Sequence, residues 1–349
     1  MKSRRRIQDY GVLVGRMERG PRNALTDVDG VAVGHCTIAG DGVQTGVTAI
    51  LPHPGNVFRE KVLAACHVIN GFGKSAGLVQ VEEMGTLETP VVLTNTFSVG
   101  TASEALVRHV LDGNPEIGRE TGTVNPVVLE CNDGFLNDIR GFHVRGGHVL
   151  QALAAAAPDF EEGAVGAGRG MSCCQLKGGI GTASRLVHAD HRLFTVGALV
   201  LSNFGEMGDL VVDGRKVGAK IEILDPPADE QGSIIVVLAT DIPLTERQLV
   251  RLCRRAAVGI SRTGGHMGSG SCEIVLSFTT ANRVLHFETS PVTSIGMFGE
   301  AFMNLAFRAV AEAVEESVLN SMICAETVTG RDGHKRRSLA DFEDLITTP

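Results

Sequence analysis

The chain has 349 residues, a formal net charge of −8 and 43% hydrophobic residues. This length fits one large domain or two small ones, with enough apolar residues for a buried core. An acidic chain without a broad basic stripe is not expected to bind nucleic acid, which requires concentrated positive charge. The longest apolar runs, such as 234–239, are too short to cross a membrane. Since the first residues also lack a signal-peptide pattern, we expect a cytoplasmic protein with no membrane partner.

Glycine is unusually frequent, with 43 residues, whereas the chain has no Trp and a single Tyr. The eight cysteines show no C-x-x-C spacing, so we expect reduced, mostly buried thiols rather than a disulfide framework or a zinc site. His188 and His191 lack a third ligand at a metal-site spacing. The glycine-rich segment 163–170 lacks the Lys-Ser/Thr ending of a phosphate-binding loop. We therefore predict no metal and no cofactor.

Short β-branched runs bounded by Gly, Pro or Asn predict strands along much of the chain. They lie at 49–51, 91–93, 127–129, 193–201 and 234–239. Two capping boxes, at 101–104 and 245–248, predict helices that end near Leu111 and Arg262. Because strands and helices alternate without a linker, we predict one layered α/β domain over residues 1–349.

The pattern changes after the second of these helices. Residues 263–270 include four glycines, and residues 271–280 alternate apolar side chains as a strand does. Apolar residues at helical spacing then predict a long helix over about 298–324. The last residues, about 327–349, are polar and predict a loosely held tail.

The junction Gly270–Ser271 carries the most chemical information. A self-cleaving precursor requires a nucleophile at the start of a strand, directly after a flexible loop, and glycine leaves its carbonyl open to attack. Attack by the hydroxyl would turn the amide into an ester, whose hydrolysis frees an α-amine on Ser271. That amine has a reference pKa of about 7.7–8.0, which suits a general base. The alternative is an ordinary glycine turn before a strand.

Ordered motifs run through most of the chain, from about residue 7 to residue 325. They include 20–35, 46–56, 70–74, 85–90, 93–101, 130–138, 177–185, 202–205, 239–244 and the Gly-Ser junction. This set resembles the DmpA-type self-processing aminopeptidases, which comprise the L-aminopeptidase/D-esterase-amidases and the β-peptidyl aminopeptidases. The resemblance implies a four-layer αββα sandwich, similar to N-terminal-nucleophile hydrolases but with altered strand connectivity.

The resemblance also implies that the precursor is cut into an α chain, 1–270, and a β chain, 271–349, which stay together. The mature protein would be a metal-free serine aminopeptidase or amidase that releases N-terminal residues from short peptides, amides or esters, and a homotetramer. Ser271 aligns with the family's nucleophile. The family usually has Gly and then Asp after it, whereas this chain has Cys272 and Glu273, which adds a thiol beside the nucleophile.

Other family roles transfer less directly. Cys174 stands where the family has a substrate-binding tyrosine, and Asn203 is the best match to its oxyanion-donating asparagine, with the turn 240–241 as the competing position. The carboxylate that supports the nucleophile from the last long helix would be Glu312 or Glu315, although the expected partner serine is missing. The remaining candidate substrate-binding residues are Asn70, Lys74 and Asn95.

Two other functions stay open at this point. An acyltransferase of related fold would pass the acyl group to an amine instead of water. A non-catalytic small-molecule-binding homologue is compatible with Cys174 and the missing partner serine. The acyltransferase differs from the aminopeptidase in its products when an amine acceptor is added, and the binding protein gives no product burst from an activated ester.

Overall fold

The computed structural model describes residues 5–225 and 232–347, in which strands and helices alternate. The strands are β1 (Ala32–Gly40), β2 (Val43–Leu51), β3 (Glu60–Gly71), β4 (Thr86–Leu87), β5 (Val91–Asn95), β6 (Val127–Cys131), β7 (Ser172–Cys173), β8 (Leu176–Lys177), β9 (Gly179–Ala189), β10 (Arg192–Asn203), β11 (Ser233–Thr240), β12 (Cys272–Leu285), β13 (Val328–Thr329) and β14 (Lys335–Arg336). The helices are α1 (Leu78–Met84), α2 (Val99–Asp112), α3 (Gly146–Ala154), α4 (Val217–Leu224), α5 (Glu246–Arg262), α6 (Met303–Ile323) and α7 (Glu343–Thr347).

Most strands belong to two sheets. The first sheet has the order β1-β2-β5-β6 and the second has the order β4-β3-β12-β11-β10-β9. Both sheets are mixed, because β5 pairs with β6 and β11 pairs with β12 in parallel while the other pairs are antiparallel. All strands expected from the sequence are present, and each extends beyond its predicted range at one end or both, although β12 begins at Cys272, one residue after the predicted start.

Three apolar clusters separate four layers. The cluster between the sheets joins side chains such as Leu93 of the first sheet to Val237 and Leu276 of the second. A second cluster packs α2 and α3 on the outer face of the first sheet, and a third packs α5 and α6 on the outer face of the second. This helix–sheet–sheet–helix order confirms the predicted αββα sandwich.

The parallel pair β11–β12 determines which chain segments meet at one edge of the second sheet. Ser233 pairs with Cys272, so both central strands begin at this edge. Their antiparallel neighbours end there, since Gly71 of β3 pairs with Cys272 and Asn203 of β10 pairs with Ser233. We call this side, where Ser271 precedes β12, the junction edge.

The helix predictions are largely confirmed. Helix α5 begins after Thr245, whose side chain accepts a hydrogen bond from the Gln248 backbone as the capping box predicts. Helix α2 instead begins at Val99, before the predicted cap at Thr101. The reason is that the Asn95 side chain accepts from the Ser98 N–H and starts a 3₁₀ turn that leads directly into α2. None of the described helices is long and apolar enough to span a membrane.

The C-terminal segment 327–347 differs from the loosely held tail expected from its polar composition. Leu339, Phe342 and Ile346 are buried and join the apolar cluster beneath α5 and α6. Arg336 is also buried, and its Nε donates to the Ser172 hydroxyl over 3.2 Å. Three apolar side chains at helical spacing are enough to anchor an otherwise polar segment.

Candidate active site

Ser271 lies at the junction edge, directly before β12, and only 8% of its surface is exposed. Its backbone N–H donates to the Gly268 carbonyl over 3.0 Å, which closes a turn around the Gly270–Ser271 bond. Met267, just before the turn, has a φ of 59°, in the left-handed region that favours glycine. The glycine-rich segment therefore forms a defined turn in front of the strand.

The hydroxyl of Ser271 donates a hydrogen bond to Oε1 of Glu273. The two side chains meet because residues two apart in an extended chain point to the same face. Glu273 is 1% exposed, and this burial raises the pKa of its carboxyl, while the bond from Ser271 opposes the rise. A hydroxyl paired with a carboxylate is an arrangement that can activate a serine nucleophile.

A cavity of about 330 Å³ opens beside Ser271 and Glu273. Its wall is formed by Phe204–Glu206 after β10, by Gly232 before β11 and by the turn 266–271. At its rim, Nδ1 of His266 lies 3.5 Å from a carboxylate oxygen of Asp209. The space fits a small substrate next to the hydroxyl.

The side chain of Asn70 ties β3 to this turn. Its Nδ2 donates to the carbonyls of Gly268 over 2.9 Å and of Ser271, and one of its two hydrogens is shared with the Ser269 carbonyl at 3.5 Å. Asn70 was predicted to bind substrate, and the structure shows its side chain in contact with residues on both sides of the junction.

Cys272 points away from Ser271, as the alternation of a strand requires. Its side chain is fully buried against Gly73, where a Cβ would clash with the sulfur, and near the carboxylate of Glu130. Burial raises the pKa of this thiol to about 12, helped by the negative charges of Glu130 and Glu273. A thiol that stays protonated at neutral pH is a poor nucleophile, so the geometry favours Ser271.

Glu130 is a buried carboxylate at the end of β6, 3% exposed. Its Oε1 accepts from the Lys74 backbone N–H over 2.8 Å, and its Oε2 accepts from the Thr96 hydroxyl. The Lys74 ammonium instead lies 4.3 Å from the centre of the exposed Phe72 ring. Lys74 therefore contributes its backbone N–H to Glu130, and its exposed ammonium lowers the pKa of the Cys272 thiol, against the larger effect of burial.

Asn203 lies at the junction edge, and its carboxamide already holds two backbone groups. Oδ1 accepts from the Ser172 N–H over 2.8 Å, and Nδ2 donates to the Asn132 carbonyl over 3.0 Å. A carboxamide nitrogen carries two hydrogens, so a second N–H remains for another acceptor.

Cys174 and Asn95 do not line the described cavity. Cys174 is 1% exposed, and its backbone N–H donates to the Phe204 carbonyl over 2.7 Å, which places it behind the wall. A hydrogen bond with Cys173, together with burial, raises the pKa of its thiol. Asn95 bonds to the Thr45 hydroxyl over 2.9 Å and acts as a cap for the turn before α2.

The turn 240–241 lies at the opposite end of the second sheet. Thr240 pairs with Thr279, about seven residues along β12 from Cys272, which corresponds to about 23 Å. The Asp241 carboxylate accepts from the Thr195 N–H over 2.6 Å there. This turn is too far away to stabilise an oxyanion at Ser271.

The two helix glutamates have other partners than Ser271. Oε2 of Glu312 accepts from the backbone N–H groups of Arg16 and Met17 and lies 3.2 Å from Nε of Arg185. Glu315 pairs with Arg262 over 3.1 Å. Their spacing on α6 suggested a supporting role, but spacing alone does not reveal which charges a helix face meets. The carboxylate at the serine is Glu273.

We also searched the described part of the chain for side chains that could bind a metal ion. Within residues 5–225 and 232–347, no group of three or more His, Cys, Asp or Glu side chains is arranged to hold a metal ion. His188 lies on the exposed end of β9, where its Nε2 is 3.1 Å from Glu18.

Two carboxylates of the site were missed as functional residues by the sequence reasoning. Glu273 was noted only for keeping the family's negative charge, although its position two residues after Ser271 in a strand indicates a shared face. Glu130 was part of a quoted motif, but only its contacts near Gly73 and Lys74, the residues that follow β3, place it beside the junction edge.

Known proteins share both the sequence and this fold. Residues 23–336 match peptidase family S58. The beta-peptidyl aminopeptidase BapA of Sphingosinicella microcystinivorans is 39% identical, over 97% of this chain and 90% of its own length. The crystal structure of the PH0078 protein from Pyrococcus horikoshii OT3 has a TM-score of 0.94 and 50% identity, and the match covers 98% of each chain.

A third relative connects the fold to an activity. The L-aminopeptidase D-Ala-esterase/amidase of Ochrobactrum anthropi, described as a prototype of the serine aminopeptidases and a variant of the Ntn hydrolase fold, has a TM-score of 0.92. It is 39% identical, and the match covers 97% of this chain and 96% of that one. The chain belongs to peptidase family S58, in the DmpA-type group, and is a hydrolase of the aminopeptidase class.

Proposed function

We propose that the chain cuts itself between Gly270 and Ser271, and that the freed Ser271 is the nucleophile of the aminopeptidase. The observation that carries the proposal is the hydrogen bond from the Ser271 hydroxyl to the buried Glu273, directly behind a turn and at the start of a strand. A serine hydroxyl is weakly nucleophilic unless an adjacent base accepts its proton.

The cleavage step needs only groups at this junction and water. Oγ of Ser271 attacks the carbonyl carbon of Gly270, and Glu273 takes the hydroxyl proton. The bond from Gly270 to the Ser271 nitrogen then breaks, the nitrogen receives the proton, and an ester joins Gly270 to Oγ. Water hydrolyses that ester, which leaves a carboxylate on Gly270 and a free α-amine on Ser271.

In the mature protein the new α-amine serves as the base. Its reference pKa of about 7.7–8.0 leaves roughly a tenth to a sixth of it unprotonated at pH 7, and more at pH 8, close to its own hydroxyl. Oγ attacks the carbonyl after the substrate's first residue, the amine or alcohol leaves with the proton, and an acyl-enzyme ester forms on Ser271. Hydrolysis of this ester releases the first residue.

The substrates we propose are short peptides, amides or esters with a free N-terminus. The cavity of about 330 Å³ admits a small group. Two carboxylates, Glu273 and Glu130, place negative charge around the start of β12, which complements a substrate ammonium group. The relatives' names extend the candidates to N-terminal β-amino acids and to D-alanine esters and amides.

Asn203 is the side chain we propose as an oxyanion donor. It lies at the junction edge on β10, directly before Phe204 of the cavity wall, and its amide nitrogen carries a second N–H besides the one bonded to Asn132. One well-placed donor of this kind is worth about 10²–10³ in turnover rate.

The position of β12 supports an α and a β chain that stay together after cleavage. β12 pairs with β3 on one side and β11 on the other, so both neighbours belong to the segment before the cut. The homotetramer and the cytoplasmic location stay predictions of the sequence analysis.

The acyl-enzyme is tested by mixing the purified protein with L-alanine p-nitrophenyl ester and measuring released p-nitrophenol and the mass of each chain. We expect a burst of about one equivalent and one alanyl group on residue 271. Ser290→Ala, on the exposed loop after β12, is the matched control and should behave as wild type. Absence of both burst and adduct contradicts the proposal, and transfer to an added amine in preference to water indicates an acyltransferase.

A further inference from the structure

Among the side chains that the structure describes, that of Asn70 contacts residues on both sides of the Gly270–Ser271 bond. Its Nδ2 donates to the carbonyls of Gly268 and Ser269 before the bond and to the carbonyl of Ser271 after it. The sequence separation is about 200 residues, so these contacts depend on the tertiary fold. A single carboxamide therefore fixes the path of the chain through the junction.

The position of Asn70 in the sheet explains how it reaches the turn. Asn70 pairs with Glu273 across β3 and β12, and the register shifts between Glu273 and Ile274. Such a bulge re-aims the side chains next to it. This irregular pair thus consists of Glu273, which accepts from the Ser271 hydroxyl, and Asn70, which donates to the turn.

Asn70 donates no hydrogen bond to the carbonyl of Gly270, which lies between the carbonyls that it holds. Gly268 accepts from both Asn70 and the Ser271 N–H, and Ser269 and Ser271 accept from Asn70. Within the described ranges, no hydrogen bond to the Gly270 carbonyl is formed. The neighbours of the attacked group are held in place while the group itself stays free for Oγ and for an oxyanion donor.

Building on the self-cleavage proposed above, we propose that Asn70 is the positioning residue of that step. Its carboxamide holds the turn so that the Gly270 carbonyl faces the Ser271 hydroxyl. Once the bond is cut, Gly268 and Ser269 belong to a different chain from Ser271, so their contacts with Asn70 no longer position the nucleophile. The bond to the Ser271 carbonyl connects two residues of the same sheet edge and stays in the mature protein.

The test replaces Asn70 by aspartate, which has the same shape but no N–H groups when ionised. Cleavage of freshly synthesised chains is followed by pulse-labelled cell-free translation and denaturing gels. We expect Asn70→Asp to cut at least about tenfold more slowly than wild type at pH 8, because its carboxylate faces three carbonyl oxygens. Asn70→Ala, which has no donor at any pH, should be slow throughout.

Asn282→Asp is the matched control. Asn282 is 6% exposed and clamps carbonyls in the same way, donating to Leu244 over 3.2 Å and to Gly296 over 3.0 Å, but at the far end of β12. It should cut at the wild-type rate, because its contacts lie away from the junction.

The pH profile separates positioning from a general loss of structure. A protonated aspartic acid regains one O–H donor, so the ratio of the Asn70→Asp rate to the wild-type rate should rise from pH 8 to pH 5. Taking the ratio removes the contributions of Ser271 and Glu273 that both proteins share. A constant ratio, a wild-type rate for Asn70→Asp, or an equal slowing by Asn282→Asp overturns the inference. A wild type that never cuts overturns the self-cleavage proposal itself, and this inference with it.

Discussion

The Ser271 hydroxyl and the Glu273 carboxylate lie together because they occupy the same face of one chain segment. Burial of Glu273 raises the pKa of its carboxyl. A carboxyl accepts a proton only when ionised, and a raised pKa moves ionisation to higher pH. Self-cleavage should therefore slow as pH falls, at pH values above those at which an ordinary glutamate titrates.

We predict that Glu273→Gln slows self-cleavage by about 10²-fold or more, because glutamine keeps the shape but accepts no proton. The slowing with acid should also disappear. Cell-free synthesis at several pH values measures both effects, and Glu288→Gln, on the exposed loop after β12, is the control. A Glu273→Gln chain that retains the wild-type rate or pH profile excludes Glu273 as the base.

Among individual residues, the sequence predicted the nucleophile that we propose, Ser271, but not its surroundings. Ser271 could be predicted because a glycine-rich loop and a strand start are local features. Asn70 was expected to bind substrate, and its contact with the turn depends on a pairing between distant strands, which no local pattern contains. Asn203 lies at the junction edge, where its proposed role as an oxyanion donor stays a prediction, and its bonds to Ser172 and Asn132 were not foreseeable.

Among the elements, α6 and β9 are joined by a buried charge network. Arg185 is fully buried between Glu312 and Glu316, with nitrogen–oxygen distances of 3.2 and 2.6 Å. Glu312 also holds the backbone of Arg16 and Met17. These contacts give the glutamates of α6 a structural role, in which they fix the helix and the N-terminal segment to the second sheet.

We predict that Arg185→Met destabilises the fold by about 3–5 kcal/mol, because two buried carboxylates lose their cation. Arg262→Met, which breaks the half-exposed pair with Glu315, should cost less than about 1 kcal/mol. Denaturant unfolding at pH 7 measures both, in a Ser271→Ala background that keeps one chain. Equal effects of the two substitutions would contradict a structural role for this network.

Helix ends show how far local signals extend. The capping box at Thr245 correctly gave the start of α5, because the cap bonds lie within four residues. The similar pattern at Thr101 misplaced the start of α2, since Asn95, three residues before the helix's own N-cap Ser98, caps a 3₁₀ turn that leads into the helix. Asn95 and Thr101 can both cap a helical turn there, and the chain becomes helical after the earlier of the two.

For the whole molecule, the alternation of strands and helices predicted a layered α/β domain, and the resemblance supplied its αββα form. The strand order was not available from local patterns, because β3, β11 and β12 are distant in sequence and adjacent in the sheet. The C-terminal segment was misjudged for a related reason. The segment is polar on average, but three of its apolar side chains pack into the cluster beneath α5 and α6, which is formed by residues distant in sequence.

Self-cleavage by Ser271 is tested most directly by the intact mass of the purified protein under denaturing conditions, beside Ser271→Ala. We expect two chains in wild type, residues 1–270 and 271–349, and one uncut chain in the variant. The second chain should begin at Ser271, since the buried Cys272 thiol, with its pKa of about 12, stays protonated. A single chain in both proteins, or a cut that persists in Ser271→Ala, would contradict self-cleavage by Ser271.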